Sequence, residues 1–240
     1  MFLKRIYNKL RYRPIETSKA YDLLSGQYDH QPDNVLLYLD EKIVSDFLPR
    51  LHIAGSVIAD IGCGTGRHWK KILQAKPSKL LGYDLSKKML GVLKEKFPQA
   101  EVDLVKNHLL PLPAQSVDVI FSTLMIAYIK NLETNFKEWD RILKPGGEIL
   151  ITEYHPEILV KGGDRSFNQN GKIIVTKSYV HEIDEIKRLA EKFGWLICEF
   201  TEIKIDDQVR HWYEKQNALP LFNRFKDVPL IYGFLMKKNE

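Results

Sequence analysis

Residues 57–67 read Val57-Ile58-Ala59-Asp60-Ile61-Gly62-Cys63-Gly64-Thr65-Gly66-Arg67, an apolar run that ends in an acid and a glycine-dense turn. An apolar strand followed by such a turn, with a helix opening behind it, is the start of a βα unit whose backbone lets a ligand approach closely. Gly62, Gly64 and Gly66 remove each Cβ where the chain must turn sharply. Asp60 closes the strand at its carboxyl end, the end of an α/β sheet outside which ligands bind, and is read as facing the ligand. The stretch reads as a nucleoside cofactor site.

A dinucleotide fingerprint requires a third glycine three residues after the second, with a diphosphate on the helix N-terminus. Counted from Gly62 and Gly64 that position is 67, which carries Arg67, while the extra glycine stands at 66. An acid at 60 is an awkward neighbour for a diphosphate and a natural one for a ligand bearing an ammonium group and a sulfonium.

Asp60-Ile61-Gly62-Cys63-Gly64-Thr65-Gly66 resembles the first motif of class I S-adenosylmethionine-dependent methyltransferases, and further segments resemble later parts of that family in the same order. Leu80-Leu81-Gly82-Tyr83-Asp84 is a second short apolar strand ending in an acid, with Ser86 placed to cap the next helix. An acid about 20 residues after the glycine turn accepts hydrogen bonds from ribose hydroxyls in nucleotide-binding sheets. Asp84 is therefore the expected ribose ligand, with Leu85 beside it. Leu110-Pro111-Leu112-Pro113 before Ser116–Phe121 resembles the approach to the fourth strand, and Leu143-Lys144-Pro145-Gly146-Gly147 the turn before the fifth. Together these segments cover about half the chain.

The resemblance implies S-adenosyl-L-methionine as the cofactor, bound by Asp60, Gly62, Cys63, Gly64 and Gly66 together with Asp84, Leu85 and Ser122. The family's adenine-contacting pair falls on Lys106 and Asn107, and of the two Asn107 has the acceptor oxygen that an amino group needs. Tyr28, in Gly26-Gln27-Tyr28-Asp29, matches an element that folds over the methionine end of the cofactor, and Tyr128 matches a pocket residue of small-molecule members. Tyr154 and His155 follow the fifth strand in Glu153-Tyr154-His155-Pro156, at the sheet edge where an acceptor would sit. Methyl transfer is an in-line displacement governed by orientation, and a base matters only for an acceptor that must lose a proton. His155 is the candidate base and acceptor ligand; the bland alternative is a loop histidine bonded to backbone.

The alternation of strands near 56–61, 79–84, 101–106, 117–123 and 148–154 with helices near 66–75, 86–97 and 132–143 predicts an α/β fold with a doubly wound, mostly parallel sheet. Helices at Thr17–Tyr28 and 32–51 precede it, and another follows at 181–193. The last strands, near 195–203 and 228–237, form an antiparallel edge by resemblance, giving seven strands with helices on both faces. The chain reads as a basic tail over 1–15 and a single domain over 16–240. Two inserted segments, near 155–180 and 206–227, are long enough to carry substrate choice. The aromatic residues of the second either line an apolar acceptor pocket or pack the insertion onto the domain.

The net charge of +5 is confined to the tail, because Lys4, Arg5, Lys9, Arg11 and Arg13 precede the first acid, Glu16. Removing those five from 36 basic residues leaves 31, matching the 31 acidic ones. A domain built for phosphate backbones carries a basic face throughout, so no nucleic-acid partner is expected. The tail could instead touch an anionic membrane surface. No segment has the length and apolarity of a transmembrane span. Two cysteines, Cys63 and Cys198, give neither a disulfide framework nor a metal cluster, and point to a reducing, cytoplasmic setting. The Asn/Asp-Pro-Pro-Tyr/Phe element of amide and base methylation is absent, Ser122-Thr123-Leu124-Met125 standing in its place. A small-molecule acceptor, methylated on oxygen or carbon, is the expectation; an RNA or protein methyltransferase using the tail, or a non-catalytic scaffold, are the alternatives.

Overall fold

The structure, a computed structural model, describes residues 13–31 and 33–240. Most of the tail, including Lys4, Arg5, Lys9 and Arg11, lies outside the described residues. Helices α1 (Thr17–Tyr28) and α2 (Val35–Phe47) lead into strand β1 (Val57–Ile61), α3 (Trp69–Gln74), β2 (Lys79–Asp84), α4 (Lys87–Lys96) and β3 (Glu101–Leu104). Then come β4 (Val117–Thr123), α5 (Leu132–Ile142), β5 (Leu143–Tyr154) and α6 (Pro156–Val160), followed by the hairpin β6 (Ser166–Gln169) and β7 (Lys172–Val175). The chain closes with α7 (Ile183–Lys192), β8 (Trp195–Lys204), α8 (Arg210–Lys215), α9 (Leu219–Phe225) and β9 (Pro229–Lys238).

Among the described residues the main sheet has seven strands in the order β3-β2-β1-β4-β5-β9-β8. The five strands from β3 to β5 pair in parallel, and β9 runs antiparallel between β5 and β8. Side chains alternate across β1: Ile58 joins one buried cluster with Val44, Phe47 and Leu93, while Ala59 and Ile61 join another with Phe136 and Trp139. Both faces of the sheet are therefore dry, which is why its inner strands read as continuous apolar runs rather than alternating ones. Strand order reverses between β1 and β4, and a crevice opens outside their carboxyl ends at that switch point.

Side-chain caps set several helix starts. Asn34, Ser86 and Asn131 accept from the backbone amides of Leu37, Met89 and Thr134 at 3.2, 3.1 and 3.0 Å, opening α2, α4 and α5. The structure starts α3 at Trp69, three residues later than the spacing implies, because the glycine turn extends through His68. The segment at 155–180 folds as α6 plus the β6–β7 hairpin, with Asn170 and Gly171 both at positive φ (50° and 80°) in its turn, as a two-residue hairpin loop requires. The segment at 206–227 is helical. The chain near Ile15 is joined to the hairpin, its amide donating to the Val175 carbonyl at 3.0 Å. Among the described residues no helix is long and apolar enough to cross a membrane.

Candidate active site

The glycine turn is built around two close approaches. Gly62 has φ +81°, its amide donates to the Tyr83 carbonyl at 2.7 Å, and a Cβ there would lie 2.2 Å from Met125 Cγ. Gly64 has φ +52° and donates its amide to Asp84 Oδ2 at 2.9 Å, which locks the turn of β1 to the end of β2. Asp84 Oδ1 accepts from the Ser86 amide at 2.8 Å. Burial raises the Asp84 carboxyl above its ordinary value, opposed by these backbone amides.

Gly62, Gly64, Asp84, Leu85 and Asn107 line a cavity of about 440 Å³ at the carboxyl ends of β1, β2 and β4, within the range of small-molecule sites. Asn107 stands at its rim, where its Oδ1 accepts from the Leu109 amide at 2.9 Å. Helix α1 covers the opening. Asp22 accepts from the Ser86 hydroxyl at 2.6 Å and the Lys88 amide at 3.1 Å; Asp29 accepts from Thr65 Oγ1 and Lys96 Nζ, both at 2.7 Å.

A second cavity, of about 750 Å³, lies on the other side of α1, with walls from α2, β5, the β6–β7 hairpin and the 206–227 insertion. Tyr21, Tyr28, Leu124 and Tyr128 line both cavities and form the wall between them. The Tyr21 and Tyr128 hydroxyls are hydrogen-bonded at 2.7 Å, their rings edge-on at 5.3 Å. Burial holds Tyr128 up at about 12 and Tyr21 well above its usual value, so both keep their protons at neutral pH. Leu124 has φ +52°, uncommon for a residue with a Cβ and of the kind of strain that clusters at ligand sites.

The structure does not bring every expected residue to these cavities. Asp60, read as facing the ligand, is 4% exposed and accepts from Trp69 Nε1 at 2.7 Å behind the glycine turn. Burial pushes its carboxyl up to about 7 against that hydrogen bond. Cys63 packs in the core, where burial pushes the thiol up. Ser122 is fully buried, and its hydroxyl has no partner among the described residues.

His155 lines neither cavity. Its Nδ1 accepts from the Glu157 amide at 3.1 Å, capping α6, and its Nε2 lies 2.7 Å from Glu202 Oε1. With Nδ1 accepting, the proton sits on Nε2 and is donated to Glu202, so both ring nitrogens are committed to local structure. Tyr154 does line the larger cavity. In the 206–227 insertion both readings hold, for different residues: Tyr213 and Leu221 line that cavity, while Phe222 and Phe225 are buried in the core.

Sequence reasoning missed Tyr21, Leu124, Glu153 and Arg165. Tyr21 lies seven residues before Tyr28, two helical turns, so helical spacing places it on the same face. Glu153 is 4% exposed, accepts from the amides of Ala127 (2.9 Å) and Tyr154 (2.7 Å), and forms an ion pair with Arg165 Nη2 (3.1 Å). Arg67, which breaks the dinucleotide spacing, pairs with the buried Asp40 of α2, which also meets His68 Nε2 at 2.9 Å and the Thr152 hydroxyl. Burial alone would raise the Asp40 carboxyl, but Arg67, His68 and Thr152 together hold it well below the usual range. This network ties α2, the glycine turn and β5 into one support for both cavities.

Comparison with known proteins agrees with this geometry. Residues 59–151 match a family model described as a methyltransferase domain. A malonyl-[acyl-carrier protein] O-methyltransferase of Methylovorus sp. is 26% identical over 208 residues, 79% of this chain and 67% of that protein. A ubiquinone/menaquinone biosynthesis C-methyltransferase of Campylobacter jejuni is 34% identical over 103 residues, 40% of this chain and 44% of that one. Among solved structures, an S-adenosylmethionine-dependent methyltransferase from Mesorhizobium loti superposes with a TM-score of 0.61 at 20% identity, covering 78% of this chain and 92% of that chain.

Proposed function

Because the chain belongs to the class I S-adenosylmethionine-dependent methyltransferases, we propose that the smaller cavity holds the methyl donor and the larger one a small-molecule acceptor, methylated on oxygen or carbon. The observation that carries this reading is the shared border: Tyr21, Tyr28, Leu124 and Tyr128 line both cavities, so donor and acceptor sites adjoin, and transfer requires these side chains to part so that the reacting atoms come within about 3–3.5 Å.

The residues fit the cofactor. A Cβ at 62 would collide with Met125, so the turn is shaped for close backbone approach, and Asp84 offers a carboxylate to ribose hydroxyls. Asn107 offers an acceptor to the adenine amino group, and Tyr28 borders the methionine end. Asp60 supports the turn from behind through its hydrogen bond with Trp69. When bound, S-adenosylmethionine supplies an electrophilic methyl group on a sulfonium. The protein's part is orientation and exclusion of water, with α1 as the cover, since an in-line displacement needs alignment above all.

A small-molecule acceptor is favoured by the size of the larger cavity, about 750 Å³, within the range of small-molecule sites. Relatives named for an acyl-carrier-protein-linked O-methylation and a quinone-pathway C-methylation support the choice of oxygen or carbon. The test is incubation with methyl-tritiated donor and a cell extract separated into small-molecule, protein and RNA fractions. Label is expected in the small-molecule fraction; label confined to protein or RNA overturns the reading.

A further inference from the structure

The walls of the larger cavity mix polar side chains with an apolar set, Leu24, Val35, Leu36, Phe167, Leu221 and Leu230, and include one buried cation, Arg165. The Arg165 side chain is 8% exposed. Its guanidinium carbon lies 5.9 Å from the centre of the Tyr128 ring and 5.6 Å from that of Tyr154, which places it beside the wall shared with the donor cavity. Nη2 meets Glu153 Oε1 at 3.1 Å and the Tyr154 carbonyl at 3.5 Å, whereas Nη1 has no hydrogen-bond partner among the described residues. A buried charged donor with an unmet N–H calls for an acceptor, and Arg165 is the guanidinium that lines this cavity.

Glu153 balances the charge of Arg165 and also accepts two backbone amides, and it leaves the Nη1 N–H unmet. The other acids lining the cavity are engaged elsewhere: Asp33 pairs with Lys215 at 2.8 Å, and Asp164 accepts from the Ser166 hydroxyl. No base stands at the shared wall: His30 is the histidine that lines the cavity, and it is exposed and outside that wall. His155 is committed to the α6 cap and Glu202, and the Tyr21 and Tyr128 hydroxyls keep their protons.

We propose that the methyl acceptor is the carboxylate of an amphiphilic monocarboxylic acid, held by Arg165 and methylated on oxygen. The inference rests on the reading above that the larger cavity is the acceptor site. A carboxylate is already ionised at neutral pH, so its oxygen attacks without giving up a proton. The oxygen lone pair forms the bond to the methyl carbon, the carbon–sulfur bond breaks, and its electron pair stays on sulfur as a neutral thioether. A carboxylate and a sulfonium thus become an ester and a thioether, both neutral, with no proton moved. The ester no longer pairs with Arg165, which favours release. The apolar walls take the alkyl chain.

The test uses decanoate, decanol and decylamine as probes with methyl-tritiated S-adenosylmethionine, and titration of S-adenosylhomocysteine as a separate readout. Methyl decanoate is expected, with little or no label on the alcohol or the amine. Arg165→Gln is expected to lower kcat/KM for decanoate at least ten-fold while S-adenosylhomocysteine affinity stays within two-fold. Arg165→Lys, which keeps the charge opposite Glu153 and loses the fork, is expected to fall between the two. Preference for decanol or decylamine, absence of methyl decanoate, or unchanged ester formation in Arg165→Gln overturns the proposal while the methyltransferase reading stands. Failure of S-adenosylhomocysteine to bind the wild-type chain overturns that reading itself.

Discussion

The hydroxyls of Tyr21 and Tyr128 meet at 2.7 Å in the wall that separates the two cavities, joining the covering helix α1 to the loop after β4. The bond holds a wall common to both cavities. Tyr21→Phe removes it without changing ring packing. A net hydrogen bond contributes about 1 kcal/mol, so turnover is expected to fall about five-fold with donor-product affinity within two-fold. Steady-state kinetics beside calorimetric titration check this, and equal turnover shows that the bond is ornamental to catalysis.

Gly62→Ala places a methyl group 2.2 Å from Met125 Cγ at a backbone φ of +81°. Left-handed strain and overpacking together are expected to cost about 2–4 kcal/mol. Thermal unfolding is expected to show a midpoint lowered by several degrees, along with weakened cofactor binding. A wild-type midpoint would mean that Met125 moves aside freely.

Asp60 gives stability a specific pH dependence. Its folded carboxyl is raised to about 7 by burial, against about 4 in an unfolded chain. Between those values the native state holds the extra proton, so this group's contribution is complete below pH 4 and is lost as pH rises to about 7. Asp60→Asn still offers an oxygen to Trp69 and has nothing to titrate. Its thermal midpoint relative to wild type is expected to rise from pH 4 to pH 7 and then level off. A difference that is flat across this range contradicts the assignment.

His155→Ala is expected to leave turnover unchanged and to cost about 1 kcal/mol of stability, the usual cost of a lost helix N-cap. A large drop in turnover with unchanged cofactor binding would restore the histidine as a base.

The sheet was legible because its signals are local. Acid-terminated apolar runs at 57–61 and 80–84 and the glycine turn each carry their own backbone chemistry, and these elements stand where the sequence places them. The lining of the smaller cavity was legible for the same reason, since Gly62, Gly64, Asp84, Leu85 and Asn107 lie at or just beyond strand ends. That of the larger cavity was not. Arg165 and Glu153 meet across a loop and a strand, and Tyr21 meets Tyr128 over 107 positions, contacts that only the packing of α1 and the hairpin creates. For His155, adjacency to a strand end does not say which way the ring turns. Here the Pro156 helix start and Glu202 on β8 claim both nitrogens.

The most direct test of the donor site is calorimetric titration of S-adenosylhomocysteine into the wild-type chain and into Asp84→Ala, with NAD as control. Loss of a charge-assisted hydrogen bond is worth roughly 1.5–3 kcal/mol, so the variant is expected to bind about 10- to 150-fold more weakly, and NAD not at all. No binding to the wild-type chain, or equal affinity in the variant, contradicts a donor site at the glycine turn and the Asp84 strand end.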